Sequence, residues 1–239
     1  MKGLCDCHCH ILPGVDDGAQ SMEEALAMLR VARDEGIGAM VLTPHMHGKE
    51  GVMKKDVIRT CYQKLCGRAA SEGGLPKLYL ASEVYASLDM ADWLKAGAVF
   101  TLEGSRYVLA EFHPGSYFHE MGNIVKNLRA SGYYLVLAHI ERYQCLLENP
   151  RYVNELLELG VLFQCNAAAV LGKEGMQKKR FIRKLLQEQK IAMIGTDAHN
   201  TEKRPPHMKA CYLYLCKKYG QEYADWLCGG SIEQILHRK

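Results

Sequence analysis

Seven apolar or β-branched runs of strand length, with helical patterns between most of them, constrain this chain more than any other feature of its sequence. The runs are Leu4–His10, Ala39–His45, Lys77–Tyr85, Tyr107–Phe112, Tyr134–Ile140, Leu162–Ala167 and Ile191–Asp197. Ser21-Met22-Glu23-Glu24 is a capping box that opens a helix with Ala25, Leu26, Leu29 and Ala32 on one face. A second helix is expected from Asp56 to about Ser71, and a third from Asn149-Pro150 to Leu159, closed by Gly160. Lys178–Gln189 is basic and amphipathic, and Pro205-Pro206 precede a helix that runs to Tyr219 before Gly220. No linker, internal repeat or low-complexity stretch interrupts the alternation. Strands alternating with helices build a mainly parallel sheet. Seven such units predict an α/β fold, a single (β/α)-type barrel domain over residues 1–239, with its chemistry at the C-terminal ends of the strands.

Composition narrows the classes of partner. A hydrophobic fraction of 48% with 24% charged residues is that of an ordinary folded domain. Thirty basic residues against 27 acidic ones leave only +3, too little to hold a nucleic-acid backbone or a membrane surface. No apolar run approaches the ~18 residues of a membrane span, and Met1-Lys2-Gly3-Leu4-Cys5-Asp6 lacks the apolar core of a signal peptide. A cytoplasmic protein with no stable membrane insertion is therefore expected, and its ten cysteines are expected to be reduced. Side chains alternate along a strand. In Cys5-Asp6-Cys7-His8-Cys9-His10 this puts Asp6, His8 and His10 on one face and the three cysteines on the other, as small buried apolar residues rather than metal ligands.

The strand ends share a chemistry. The first ends in His8 and His10, the second in Thr43-Pro44-His45, the third in Glu83, the fourth in Glu111 and the fifth in His139. The sixth ends in Asn166, and the seventh in Asp197 with His199 just beyond; Asp16-Asp17-Gly18 lies in the loop after the first. Any one of these residues alone would read as a satisfied core histidine or a helix cap. Metal-type ligands at six of seven strand ends point instead to a joint site. Mixed imidazole and carboxylate donors suit manganese, iron or zinc, and clustered ions clamp phosphoryl oxygens and generate hydroxide.

In that setting the chain resembles a known family. Asp6-Cys-His8-Cys-His10-Ile-Leu-Pro-Gly-Val-Asp16-Asp17-Gly18 looks like the opening of the polymerase and histidinol phosphatase (PHP) superfamily. Thr43-Pro44-His45, Ser82-Glu83-Val84-Tyr85, Glu111-Phe112, His139-Ile140-Glu141-Arg142-Tyr143, Asn166-Ala167, Leu171-Gly172 and Thr196-Asp197-Ala198-His199-Asn200 with Arg204-Pro205-Pro206 continue it in order. Over almost the whole length it is most similar to the manganese-dependent protein-tyrosine phosphatases of bacterial capsule and exopolysaccharide operons.

The resemblance implies a distorted (β/α)7 barrel of the PHP type with three metal ions, Mn2+ first and iron or zinc as alternatives. By position the first ion takes His8, His10, Glu83 and Asp197. The second shares Glu83 and adds Glu111 and His139, and the third takes Asp17, His45 and His199. Arg142 and Arg204 would hold phosphoryl oxygens, with Asp197 or a neighbouring histidine as proton donor to the leaving phenolate. The implied substrate is a phosphotyrosine protein, the tyrosine-rich C-terminal tail of a bacterial tyrosine kinase that controls polysaccharide export. Two other readings stand beside it: a small-molecule phosphoesterase such as a histidinol phosphatase, and a metal-binding regulator without turnover. The chain departs from the family pattern at Cys9, in the short loop Met46–Gly51 with its extra His47, at His113 and His119, and at Cys228-Gly229-Gly230-Ser231. Cys145 and Arg151 also match the Cys-x5-Arg spacing of cysteine-dependent phosphatases. Pro150 has no N–H to offer a phosphate and Glu148 would repel one, so the stretch reads as a helix cap.

Overall fold

The alternating runs form parallel strands in their sequence order. The computed structural model describes residues 3–237, with backbone alone over 49–53, so Met1 and Lys2 of the N-terminal reading lie outside the described residues. Nine strands replace the expected seven: β1 Leu4–Cys9, β2 Ile37–Leu42, β3 His45–Met46, β4 Lys77–Leu80, β5 Glu83–Tyr85, β6 Tyr107–Glu111, β7 Tyr134–Leu137, β8 Leu162–Asn166 and β9 Met193–Gly195. The extra two arise because the second and third runs each break in the middle. Pro44 has no N–H for the ladder, and the Ser82 hydroxyl turns aside to donate to the Phe100 carbonyl and accept from its N–H at 2.7 and 2.9 Å. The halves fall into two parallel sheets, ordered β1-β2-β4 and β3-β5-β6-β7-β8-β9. A parallel bridge between Cys9 and Ala198 joins first strand to last, with the His10 N–H donating to the Ala198 carbonyl at 2.8 Å. The result is the expected distorted seven-position barrel, a curled parallel sheet with helices outside.

Two apolar clusters follow from that curl. The larger packs the outer strand faces against the helices. The smaller lines the inside, with Cys5, Cys7, Val41, Leu109, Val136 and Met193, and the C-terminal helix Ser231–Leu236 adds Ile232 and Ile235 to it. Leading into that helix, Cys228-Gly229-Gly230 sits in a π-helical turn over Trp226–Gly230, where a Cβ on Gly229 would lie 3.5 Å from the Gly3 carbonyl oxygen. All the first-strand cysteines are buried, and burial pushes the Cys5, Cys7 and Cys9 thiols far up. Strict alternation fails, however. The β1–β2 register shifts between Asp6 and Cys9, and Cys9 packs in the outer cluster. Asp6 correspondingly leaves the face of His8 and His10: its carboxylate accepts from the Thr196 N–H at 2.8 Å and from the Thr196 hydroxyl, filling a gap in the ladder.

Helix boundaries hold at the caps and slip elsewhere. The Ser21 hydroxyl accepts from the Glu24 N–H at 3.1 Å to start Met22–Asp34, while the Glu24 carboxylate reaches the Gln20 N–H at 2.9 Å. Arg151–Glu158, Met176–Gln187 and Lys209–Tyr219 lie where patterning puts them. The helix expected from Asp56 instead spans Gly48–Glu72, so the expected Met46–Gly51 loop is the end of β3 and a first helical turn. No proline stops the helix there. Gly48 sits at φ +40° against Trp93, where a Cβ would stand 2.9 Å from the ring. Among the described residues no helix is long and apolar enough to cross a membrane.

Candidate metal centre

Nine side chains converge where the strands end. The donor atoms near enough to share an ion group as His10, Asp17, His45 and His199, as His8, His10 and Asp197, and as His45, Glu83 and Glu111. His45 thus stands where His139 was expected beside the two glutamates. The His8 and His10 Nε2 atoms lie 3.1 and 3.2 Å from Glu83 Oε2, and 3.7 and 3.6 Å from Asp197 Oδ1. His139 Nε2 stands 2.9 Å from Glu83 Oε1 and 3.4 Å from Glu111 Oε2. Asp17 Oδ1 stands 3.4 Å from Nε2 of both His45 and His199. The sets interlock more than the positional assignment implies. The other His45 nitrogen, Nδ1, lies 3.3 Å from Glu83 and 3.4 Å from Glu111. His10 also offers a donor atom to the group of Asp17, His45 and His199.

This donor set fits divalent ions. Glu83 Oε2 is buried 3.1–3.3 Å from three imidazole nitrogens yet makes no well-formed hydrogen bond, and His45 Nδ1 and His139 Nδ1 are likewise unsatisfied. Buried polar atoms left in this way cost free energy unless something else meets them. Electrostatics agree. Burial disfavours the His10 imidazolium, but the Asp16 and Glu83 carboxylates outweigh it and raise the group to about 10. Burial opposes the charge on His139 too, and Glu111 and Glu83 raise it to about 9. Burial also works against the Glu83 carboxylate, yet the His8, His10 and His139 rings hold it well below its usual range. The site thus gathers cationic imidazoles around buried carboxylates, a charge balance that bound cations would take over.

Asp197 forms the partition between these donors and the arginines. Its Oδ1 faces the histidines, while Oδ2 accepts from Arg142 Nη2 at 2.5 Å, Arg204 Nη2 at 2.6 Å and Asn166 Nδ2 at 3.1 Å. Burial raises its proton affinity, but His8, Arg142, His10 and Arg204 together depress it far below the ordinary carboxylate value. A carboxylate held ionised has no proton to give, so Asp197 does not suit the expected proton-donor role and does suit a ligand role. Its backbone lies at φ +54° and that of His139 at φ +33°. Non-glycine residues in this left-handed region store roughly 1–3 kcal/mol each, typically at functional sites.

Several supporting residues escaped sequence reasoning. Asp16 accepts from His10 Nδ1 at 2.9 Å and from the Gly18 and His45 N–H groups at 3.0 and 3.1 Å. Its place beside Asp17 in the Asp-Asp-Gly loop was the available signal. Gln164 is fully buried; its Oε1 lies 3.2 Å from His8 Nδ1 and accepts from the His139 N–H at 2.6 Å, and its Nε2 donates to Asn166 Oδ1 at 3.0 Å. Nothing in its flanking sequence marks it except a polar side chain inside an apolar strand. Tyr143 donates to the Ala138 carbonyl at 3.1 Å and accepts from the Phe112 N–H at 3.2 Å, clamping two strand ends. His47, His113 and His119 stay outside the cluster: His47 packs on Tyr85, His113 accepts from the Gly115 N–H, and His119 stacks on Tyr117. Cys145 lies in the short helix Gln144–Glu148, where burial raises its thiol, so no nucleophilic thiolate loop forms there.

Parallel strands curled into a barrel, with histidines and carboxylates gathered at their C-terminal ends, define a metal-dependent hydrolase. Comparison with known proteins narrows the class. The chain belongs to the CpsB/CapC family of capsular polysaccharide synthesis, whose model matches residues 4–237. It is 31% identical to the tyrosine-protein phosphatase CpsB of Streptococcus pneumoniae over 240 residues, covering 98% of each chain. Identity to the tyrosine-protein phosphatase YwqE of Bacillus subtilis is 30% over 224 residues, or 92% of this chain and 86% of that one. A solved structure from work on YwqE and CpsB, described as unique metal-dependent tyrosine phosphatases, superposes with a TM-score of 0.89 at 28% identity, covering 98% of this chain and 94% of the other. A lactonase from Listeria monocytogenes, at TM-score 0.67 and 10% identity over 99% of this chain and 95% of the other, shares the fold alone. The family resemblance read from the sequence is borne out.

Proposed function

We propose that this chain is a metal-dependent protein-tyrosine phosphatase acting in capsule or exopolysaccharide synthesis, with residues 1–239 as one catalytic domain. The observation that carries the reading is the buried Glu83 carboxylate, ringed by imidazole nitrogens, beside an Asp197 whose outer oxygen gathers two arginines. His8, His10, Glu83 and Asp197 would hold one ion, Glu83, Glu111 and His139 a second, and Asp17, His45 and His199 a third, with Mn2+ as the native metal. When bound, such ions supply Lewis-acid charge to phosphoryl oxygens and lower the pKa of water toward neutrality.

The chain's own groups do the rest. Arg142 and Arg204, partly exposed, swing from Asp197 Oδ2 to the equatorial oxygens of the phosphoryl group, where charge develops during transfer. Asn166 keeps its hydrogen bond to Asp197 Oδ2 and so holds that carboxylate in place when the arginines leave. The phenolate of tyrosine, with a pKa near 10, departs without strong help from a general acid. Asp197, held ionised, gives it none. Relatives named as tyrosine phosphatases favour this reading over a histidinol-phosphate-type enzyme or a regulator without turnover. The physiological substrate is the tyrosine-rich tail of a bacterial tyrosine kinase in the cytoplasm, flexible enough to enter an open cleft. The test is phosphate release from a phosphotyrosine peptide before chelation, after it, and after adding Mn2+. Activity should vanish and return. Activity that survives exhaustive chelation, or faster turnover of histidinol phosphate than of the peptide, would overturn the proposal. Metal analysis of the active form should find more than two ions per chain, and a single ion would refute the three-ion centre.

A further inference from the structure

A cavity of about 320 Å3 opens on the arginine side of Asp197, and none of the five clustered histidines lines it. Its apolar walls are short, from Ala168, Leu171 and Pro205; Asn166, Thr196 and His207 add neutral polar groups, and the rest is charged. Arg142, Arg204, Lys173 and Lys203 bring four cations to it, against the carboxylates of Asp197 and Glu174. Both carboxylates are already engaged. Asp197 holds the two arginines, and Glu174 is paired with Lys178 at 3.1 Å and accepts from Asn166 Nδ2 at 3.4 Å. Lys173 and Lys203 have no carboxylate partner among the described residues. In a chain with a net charge of only +3 this is a local surplus.

The two lysines are also held in place from separate loops. Lys173 follows Gly172, which turns the chain at φ +86° after the helix Ala167–Leu171, and the Lys173 N–H donates to the Ala168 carbonyl at 2.9 Å. In the loop after β9, Asn200 Oδ1 accepts from the N–H groups of Glu202, Lys203 and Arg204 at 3.1, 2.7 and 3.0 Å, which fixes Lys203 and Arg204 together. Gathering like charges around one cavity is unfavourable unless an anion shares it.

We infer that this cavity is a second anion subsite, which takes a negatively charged side chain next to the phosphotyrosine in the substrate. The inference rests on the phosphatase reading and adds a substrate class to it: acidic or multiply phosphorylated tyrosine peptides. Lys173 and Lys203 are the specificity-determining residues, because the arginines are committed to the transferred phosphoryl group. Such solvent-facing pairs are screened, so the preference should fade with salt.

The test compares kcat/KM for free phosphotyrosine and three peptides of equal length. One carries alanines on both sides of the phosphotyrosine, one glutamates, and one a second phosphotyrosine. The wild-type enzyme should favour both charged peptides over the alanine peptide by about fivefold or more at low salt, the size expected of exposed charge pairs. A gain for the doubly phosphorylated peptide alone would assign the subsite to phosphate; a gain for both assigns it to anions in general. In a Lys173→Ala/Lys203→Ala variant the preference should disappear, and in Lys173→Glu/Lys203→Glu it should reverse. Wild-type enzyme that hydrolyses free phosphotyrosine but treats all three peptides alike would overturn the subsite and leave the phosphatase reading standing. A preference that persists in the double-alanine variant would overturn the assignment to these lysines. Failure to hydrolyse any of the four substrates with metal present would overturn both.

Discussion

At the scale of single residues, the candidate ligands are oriented by groups outside their own ring. Gln164 Oε1 stands 3.2 Å from His8 Nδ1 as an acceptor, which turns Nε2 toward Glu83. Outer partners of this kind commonly set ligand tautomer and basicity. Gln164→Leu keeps the bulk and removes the acceptor, so metal affinity should fall about 10- to 100-fold, measured by competition with a chromogenic chelator. Unchanged affinity in a folded variant would show that His8 needs no such partner. The arginines, both on Asp197 Oδ2, have a different part in the proposal, that of holding the phosphoryl group. Arg142→Ala and Arg204→Ala should each retain metal content and lose about 10²- to 10³-fold in kcat/KM. A loss below tenfold with metals intact would remove that residue from the mechanism. The identities of these arginines and of all nine ligand candidates were legible from strand-end position and family resemblance. Gln164 was not, because its partners come from strands far away in sequence and only folding makes it a hub.

At the scale of elements, local signals read well where backbone chemistry is self-contained and poorly where a neighbour decides. The Ser21 cap and the Asn149-Pro150 start needed no tertiary knowledge, since each meets its backbone N–H groups from within the same turn. The start at Lys209, by contrast, is met by the Glu35 carboxylate from far away in sequence. The break in the third run likewise depends on Ser82 meeting the Phe100 backbone 18 residues on. The Asp16-Asp17-Gly18 loop shows both kinds of control. A Cβ on Gly18 would stand 2.0 Å from the His10 carbonyl oxygen, a contact with rigid backbone that cannot relax. Gly18→Ala should therefore push the loop off His10, pulling Asp16 and Asp17 from their histidines. Metal stoichiometry should drop and activity with it, while circular dichroism keeps the helical signal. Native stoichiometry in Gly18→Ala would mean that the loop can shift without cost to the centre.

For the whole molecule, the centre couples charge, protons and folding. With His10 raised to about 10 and His139 to about 9, both imidazoles are protonated at neutral pH in the metal-free protein. Metals need the neutral rings, so binding at pH 7 to 8 should release close to two protons from this pair, and affinity should climb as pH rises toward 9–10. Calorimetry in buffers of different ionisation enthalpy reads that release directly, and an enthalpy independent of buffer would refute it. The alternation of strands and helices, the barrel class and the ring of strand-end histidines and carboxylates were determined by the sequence itself, because period, caps and residue type are local properties of a chain. Only the tertiary structure decided that Cys9 leaves its strand-mates, that Asp197 is held ionised between two arginines, and that Lys173 and Lys203 face one cavity. Those facts depend on distances between residues remote in sequence and on how far each charge is removed from water, quantities that exist only once the chain has folded.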